Sequence, residues 1–191
     1  MRPEHYLLDV ACGSFRAGRF FIEYLLPSHY YGFDGDCELI KQGIKHVLKP
    51  AGLLAKKPVI HCIKLTPEPL DFMKLFKRKF DYIWIHALFD HIPPDVVRAT
   101  LIGLSKVLAS TGYIYATIFL NPDPSYTGSI LHLRDGSIEG AVVSYPDREY
   151  YHYTLEFFKA IDCLVIESCI DNYPHPLGLK MLKLKLAEGK G

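Results

Sequence analysis

The segment from residue 7 to residue 18 holds the residue types best suited to close contact with a ligand. A short apolar run ends there in an acid, small residues follow, and apolar residues at helical spacing come next. Small residues at the start of a helix let backbone N–H groups approach a ligand that larger side chains would keep away. The candidate binding residues of this loop are Asp9, Ala11, Cys12, Gly13, Ser14, Arg16 and Gly18.

The glycine spacing of this loop differs from that of dinucleotide-binding proteins. Only Gly13 and Gly18 are glycines, so the pattern G-x-G-x-x-G is absent and no seat for a pyrophosphate is predicted. A Tyr-x-x-x-Lys pair beyond the fourth predicted strand, residues 82–85, is also absent. A nicotinamide-dependent oxidoreductase is therefore disfavoured.

A second apolar run, residues 30–33, ends in Asp34 and Gly35. A carboxylate at a strand end accepts hydrogen bonds from two donors in one plane, which suits a vicinal diol. Asp36 is the alternative acid for that role. A solvated acid in a turn is the simpler interpretation, and it stays open for Asp34.

Two histidines after the fourth apolar run are the candidate general bases. His86 directly follows residues 82–85, and His91 lies one helical turn or more beyond it. An imidazole titrates near neutral pH, so either residue could take a proton from a hydroxyl group; packing or capping is the alternative role of each. The nine histidines show neither H-x-x-x-H spacing nor a carboxylate partner on one helix, so no metal site is predicted.

Alternating strands and helices must position these residues. Apolar runs of strand length are separated by segments of helical periodicity, which is typical of a parallel sheet covered by helices. Loops at the carboxyl ends of such strands meet at one edge of the sheet, so the first loop, Asp34 and His86 should converge. The first five predicted strands are residues 5–10, 30–33, 59–63, 82–85 and 113–119.

The last third of the chain departs from this alternation. A turn sequence at residues 134–137 lies between two apolar runs, and it predicts a β-hairpin insertion or lid over the site at residues 121–150. The aromatic residues 150–153 either line an acceptor cavity or half bury at the start of the next helix. The elements predicted to close the chain are a helix at 155–161 and strands at 163–170 and 180–186.

Composition narrows the class of partner. The 22 Lys plus Arg and 21 Asp plus Glu leave a net charge of +1, so no field that would attract a phosphate backbone is expected, and nucleic acid is disfavoured. No apolar stretch is long enough to cross a membrane, and the start of the chain lacks the layout of a signal peptide, which favours the cytoplasm. The length of 191 residues fits one domain.

The five cysteines are expected to be free thiols in a reducing compartment. Their number is odd and no C-x-x-C pair occurs. Three of them fall in apolar runs that look like strands, which favours burial. They are Cys12, Cys37, Cys62, Cys163 and Cys169.

The first loop, D-x-x-C-G-S-x-R, resembles motif I of class I S-adenosylmethionine-dependent methyltransferases, and the resemblance extends over nearly the whole chain. Asp9 stands at the acid of the motif, Ala11 at its first glycine, Gly13 at its second and Phe15 where a third is often found. The resemblance implies that residues 9–18 hold the methionine end of the cofactor. It also implies that an acid after the second strand bonds both ribose hydroxyls, the role given to Asp34 with Gly35.

Two further segments resemble this family. Residues 80–93 are similar to its fourth-strand segment, which would place His86 and Ala87 beside the transferable methyl group and His91 near the rim. Residues 172–181 are similar to the tail of small-molecule methyltransferases. The family usually has an acid after the third strand that reads adenine. Here backbone and apolar contacts are expected instead, from Ile63, Lys64 and Leu65.

The resemblance implies one α/β domain over residues 1–191, a three-layer Rossmann-like sandwich with a mostly parallel seven-stranded sheet and an antiparallel strand near the C-terminus. It implies methyl transfer from S-adenosylmethionine to a small-molecule acceptor, at a hydroxyl of a sugar or secondary metabolite, with S-adenosylhomocysteine as product. A weak or inactive S-adenosylmethionine-binding module acting with a partner is the alternative. A homodimer is left open.

Overall fold

The computed structural model describes residues 1–120, the backbone of 130–132, and residues 150–170, 173–176 and 178–189. Most of the predicted lid at 121–150, including its second apolar run, lies outside these residues. Across the described ranges, no helix is both long and apolar enough to cross a membrane.

A mixed β-sheet forms the centre of the molecule. Its seven main strands are β1 Leu7–Val10, β2 Tyr30–Asp34, β3 Val59–Cys62, β4 Phe80–Ile85, β5 Leu108–Leu120, β8 Leu164–Ile170 and β9 Lys180–Leu186. The first five strands are mutually parallel in the order β3-β2-β1-β4-β5, and β9 then pairs with β5 in the antiparallel direction, followed by β8. These strands form the predicted seven-stranded sheet with β9 as its antiparallel member, so that prediction is confirmed.

Two short strands extend the sheet beyond the carboxyl end of β5. Strand β7, Tyr151–Tyr153, runs parallel to β5, and β6, Ile130–His132, pairs with β7 in the antiparallel direction. Two interpretations of residues 150–153 were open: half-burial at the start of a helix is wrong for residues 151–153, which form a strand, and a role in an acceptor cavity stays a prediction. All three residues of β7 are buried, because aromatic side chains pack well on a pleated surface.

Helices cover the sheet and begin at residues that suit their ends. They are α1 Gly18–Tyr24, α2 Cys37–Gly43, α3 Phe72–Phe76, α4 Pro94–Ser105 and α5 Leu155–Lys159. Asp36, Asp71 and Thr154 accept hydrogen bonds from backbone N–H groups at the start of α2, α3 and α5, and Pro94 is the first residue of α4. A π-turn, Ile44–Leu48, prolongs α2, and a 3₁₀ turn, Leu53–Lys56, follows it.

Side-chain alternation along β1 divides the core between the two faces of the sheet. Leu8 and Val10 pack with α4 and α5 in the larger hydrophobic cluster, whereas Leu7 packs with α1 and α2 in the smaller one. On the second face, Tyr82 and Trp84 of β4 and Tyr115 of β5 are only half-buried. This part of the second face is therefore only partly covered, and Trp84 lies at the candidate site.

Two of the five cysteines form a disulfide. Cys37 begins α2 and Cys62 ends β3, with their Cα atoms 5.3 Å apart. The expectation of free thiols was wrong for this pair, because the contact depends on the pairing of β2 with β3 and leaves no short motif in the sequence. Cys12, Cys163 and Cys169 take no part in this disulfide.

Candidate active site

A cavity of about 800 Å³ opens beyond the carboxyl ends of β1 and β4. Eight of the predicted site residues line it: Asp9, Ala11, Cys12, Gly13, Ser14, Arg16, His86 and Ala87. Five further residues line it: Ala17, which lies inside the predicted loop, and Phe20, Leu39, Trp84 and His175, which were not predicted. The first loop and the segment after β4 therefore converge, as the strand order requires.

The backbone of the first loop turns sharply at alternate residues. Ala11, Gly13 and Phe15 have φ values of 58°, 53° and 64°, the left-handed region that favours glycine. Each non-glycine residue there costs on the order of 1–2 kcal/mol. Ala11 and Phe15 stand where the resembling motif has glycines, so this loop keeps the left-handed turns without them.

Packing against α2 holds the loop in this conformation. The side chain of Phe15 is fully buried. A Cβ atom on Gly43 would lie 2.7 Å from the Cα atom of Ser14, which is backbone and cannot move aside like a flexible side chain. The absence of a side chain at Gly43 therefore allows α2 to lie directly against the loop.

A buried hydrogen bond lies beneath the loop. The Tyr30 hydroxyl donates to Oδ2 of Asp9 at 2.7 Å. A Cβ atom on Gly18 would lie 2.5 Å from that hydroxyl oxygen, so glycine is required there. Burial raises the pKa of Asp9 to about 7, although the Tyr30 hydrogen bond opposes the rise, and the charge of Asp34 adds to it.

Asp34 joins the loop after β2 to the first loop. Its Oδ2 accepts a hydrogen bond from the backbone N–H of Gly13 at 2.9 Å, and its Oδ1 accepts one from the N–H of Asp36 at 2.8 Å. The Asp36 carboxylate instead caps α2 through the N–H groups of Glu38 and Leu39. Asp34 is therefore the acid held at the cavity side, while Asp36 serves the helix.

The segment after β3 lies beside Asp34. The N–H of Ile63 donates to the carbonyl of Asp34 at 2.9 Å. The Cα atom of Lys64 lies 3.7 Å from the position that a Cβ on Gly35 would take, and Leu65 packs against the main core. Asp34, Gly35 and residues 63–65 thus lie together; none of them is among the residues that line the cavity, and Asp34 reaches it through its hydrogen bond with Gly13.

His86 follows β4 beside the first loop, because Val10 of β1 is in register with Ile85 of β4, and it lies within a group of aromatic rings. Its ring stacks on Trp84 at 5.9 Å between centroids and lies 5.5 Å from the ring of His175. Burial lowers the pKa of His86, and the neighbouring His175 lowers it further. The next residue, Ala87, has a φ of 50° and donates its N–H to Oγ1 of Thr117 at 2.8 Å.

Sequence reasoning missed His175. It lies in the segment that joins β8 to β9, far from His86 along the chain, and reaches the cavity because β9 pairs with β5. The resemblance of residues 172–181 to the tail of small-molecule methyltransferases was the only signal in the sequence that pointed to this segment.

His91, the other predicted base, lies apart from the described lining of the cavity. Its Nε2 is 3.3 Å from Oδ2 of the buried Asp90, and its ring lies 5.1 Å from that of Tyr150. The Tyr153 hydroxyl donates to the carbonyls of Phe89 and Ile92 at 3.1 Å each. This arrangement anchors the segment after β4. Among the described residues, no three His, Cys, Asp or Glu could together hold a metal ion.

No protein-family model matches the chain, and no curated protein sequence matches it either. Solved structures do. The magnesium protoporphyrin IX methyltransferase of Synechocystis PCC 6803, with bound S-adenosylmethionine, superposes with a TM-score of 0.64 at 11% identity, over 97% of this chain and 71% of that one. DesVI of Streptomyces venezuelae gives 0.64 at 14% identity, over 97% and 86%.

An O-methyltransferase from neocarzinostatin biosynthesis, in complex with S-adenosylmethionine and 2-hydroxy-5-methyl naphthoic acid, gives a TM-score of 0.63 at 10% identity. The alignment covers 96% of this chain and 49% of that one, so this chain spans about half of its length. At such identities a likeness shows the fold. The chain therefore has the fold of class I S-adenosylmethionine-dependent methyltransferases.

Proposed function

We propose that the protein transfers a methyl group from S-adenosylmethionine to a small-molecule acceptor, at a hydroxyl of a sugar or secondary metabolite, and releases S-adenosylhomocysteine. The observation that carries the proposal is the hydrogen bond between Gly13 and Asp34, which joins a left-handed small-residue loop to an acid beside the cavity. Solved neighbours of the same fold contain S-adenosylmethionine or S-adenosylhomocysteine. We further expect a cytoplasmic protein that does not act on nucleic acid.

The residues present suit such a cofactor at three places. The loop from Asp9 to Gly18 would hold its methionine end through backbone N–H groups. Asp34, with Gly35, would accept the ribose hydroxyls, because a carboxylate offers further lone pairs beyond the two hydrogen bonds it already accepts. Ile63, Lys64 and Leu65 would border the adenine.

S-adenosylmethionine, when bound, supplies an electrophilic methyl group on sulfur. Methyl transfer is an in-line displacement, so the protein contributes mainly by aligning the acceptor and excluding water. His86 would accept the hydroxyl proton of the acceptor as the oxygen attacks. Its lowered pKa keeps the imidazole neutral, and thus able to accept a proton, at pH 7. His91 is the second candidate for that role, although it lies outside the described cavity lining.

Titration calorimetry with S-adenosylhomocysteine tests the proposal. The wild type should bind, and Asp34→Ala should bind about tenfold more weakly or worse, or about 1.4 kcal/mol. Asp162→Ala is the matched control, because it removes an exposed carboxylate between α5 and β8, far from Asp34.

Equal binding by wild type and Asp34→Ala would remove Asp34 from the ribose site. Absence of binding in all three proteins would overturn the cofactor assignment. If binding is confirmed, a panel of hydroxyl-bearing acceptors with radiolabelled methyl donor decides between an enzyme and a binding module that does not turn over.

A further inference from the structure

Two exposed cysteines meet beside the acid that adjoins the cavity. Cys37 is the first residue of α2 and Cys62 is the last residue of β3, and a disulfide joins them. In the parallel pairing of β2 with β3, Cys62 lies in register with Asp34. The disulfide therefore links the end of β3 to the start of α2 beside Asp34.

We propose that Cys37 and Cys62 form a redox-modification site that reacts with low-molecular-weight thiols and disulfides, and that its disulfide form binds the adenosine half of the cofactor more tightly than its dithiol form. The second half of this inference rests on the proposed function. The first half concerns the two thiols alone.

The crosslink connects the two segments to which the proposed function assigns adenosine contacts. Residues 34–37 pass from Asp34 to Cys37, and residues 62–65 begin at Cys62. Without the crosslink, the hydrogen bond from the Ile63 N–H to the Asp34 carbonyl is the backbone contact that ties them together past the end of the strands. With it, the peptide around Gly35 is held against Lys64 before any ligand arrives. Such preorganisation lowers the entropy lost on binding.

Exposure separates this pair from the remaining cysteines. Cys37 and Cys62 are both exposed, so a small thiol or disulfide can reach their sulfur atoms. Cys12 is buried, and burial together with the charges of Asp9 and Asp34 raises the pKa of its thiol, which keeps it protonated and unreactive. Cys163 and Cys169 are half-buried, so a small disulfide reaches their sulfur atoms less easily. Exchange should therefore occur selectively at the Cys37–Cys62 pair.

The co-reactant is a low-molecular-weight disulfide such as glutathione disulfide. The thiolate of one cysteine attacks a sulfur of that disulfide, forms a mixed disulfide and displaces one glutathione thiolate. The thiolate of the second cysteine then attacks the cysteine sulfur of the mixed disulfide, forms the Cys37–Cys62 bond and displaces the second glutathione. Two electrons pass from the protein thiols to the glutathione pair, and the two thiol protons leave with the glutathiones or to solvent. Excess thiol reverses both steps.

The test uses the full chain equilibrated with glutathione disulfide or with dithiothreitol. Alkylation after unfolding, read by intact mass, should label three cysteines in the first sample and all five in the second. Titration of S-adenosylhomocysteine should give roughly fivefold tighter binding, or more, to the oxidised sample, on the order of 1 kcal/mol. Cys37→Ser/Cys62→Ser should match the reduced wild type in both buffers, and Cys163→Ser should respond like the wild type.

Five labelled cysteines in the oxidised sample would overturn the redox site. Equal affinity of the two samples, or tighter binding by the reduced one, would overturn the coupling to the cofactor. Failure of both samples to bind S-adenosylhomocysteine while the disulfide forms would instead reject the proposed function, and the coupling with it, and leave the redox site established.

Discussion

Two groups of residues that line the cavity, the first loop and the rings around His86, lie side by side after β1 and β4 but are built by different kinds of interaction. In the first loop, backbone turns and hydrogen bonds set the shape, as in the contacts of Tyr30 with Asp9 and of Gly13 with Asp34. In the second group, His86 is held mainly by ring contacts with Trp84 and His175. Directional bonds set the geometry of the first loop, whereas ring contacts impose fewer directional demands around His86.

This difference suits the two tasks of the proposed reaction. A cofactor of constant structure requires one fixed shape, and left-handed residues such as Ala11 and Phe15 persist only where surrounding contacts over-determine them. An acceptor site has to distinguish among metabolites, and aromatic surfaces provide contact area with few directional demands. The predictions below test each group in turn, beginning with the largest effect.

Asp9→Asn should remove a pH dependence of stability that the buried carboxyl imposes. The pKa of Asp9 is about 7 in the folded protein, against an ordinary value of 3.8, so the carboxyl is protonated in the folded state and ionised in the unfolded state between those values. Its contribution to the unfolding free energy is therefore greatest below pH 3.8 and is lost as pH rises to 7. The total loss is about 4 kcal/mol at 1.36 kcal/mol per pH unit.

Urea denaturation at pH 5 and pH 8 measures this effect. The stability of Asp9→Asn relative to the wild type should increase between the two pH values, because asparagine does not ionise. Tyr30→Phe is a useful companion, since it removes the hydrogen bond to Asp9 but keeps the carboxyl and its pH dependence. A constant difference between Asp9→Asn and the wild type would show that Asp9 is already ionised in the folded state at pH 5.

His86→Gln should lower kcat about a hundredfold while leaving the affinity for S-adenosylhomocysteine within about twofold. Because the pKa of His86 is lowered, the acidic limb of the wild-type rate profile should fall below the ordinary histidine value of 6.5. His91→Gln is the matched control. A limb that moves with His91→Gln rather than with His86→Gln would transfer the role of base to His91.

Gly43→Ala should disturb the first loop through α2, the helix that packs against it. The added methyl group would lie 2.7 Å from the backbone of Ser14, and overpacking of this kind costs about 1–3 kcal/mol. The affinity for S-adenosylhomocysteine should fall together with the melting temperature. Gln42→Ala, which loses only an exposed hydrogen bond to Glu38, should change neither. Unchanged binding by Gly43→Ala would mean that the first loop does not depend on α2.

His175→Ala should produce the smallest effect, confined to the rings around His86. Loss of the second imidazole removes one cause of the lowered pKa of His86 and also admits water, so that pKa should rise toward 6.5. Proton NMR titration of the histidine ring signals measures the change. His46→Ala, at an exposed position on the π-turn, is the control. An unchanged pKa of His86 in His175→Ala would show that His175 does not influence the ionisation of His86.

The first loop lies where the strand pattern of the sequence predicts it, at the carboxyl end of β1. Strand alternation and loop position depend on neighbouring residues, so the sequence brings Asp9, Gly13 and Asp34 to one edge of the sheet, where the structure also has them. Their roles toward a cofactor stay a prediction. His175, the Cys37–Cys62 pair and the strand at residues 151–153 were missed, since each depends on which strands become neighbours. The predicted lid at 121–150 stays a prediction, as most of it lies outside the described residues.

Trp84 is the single tryptophan of the chain, and it lies in the wall of the cavity between Phe21 and His86. Every change in indole emission therefore originates at one known place. Any ligand that enters alters the polarity around that ring, and protonation of His86 alters the charge stacked upon it. The protein thus carries its own optical probe, with which ligand binding and the protonation of His86 can be followed without a label.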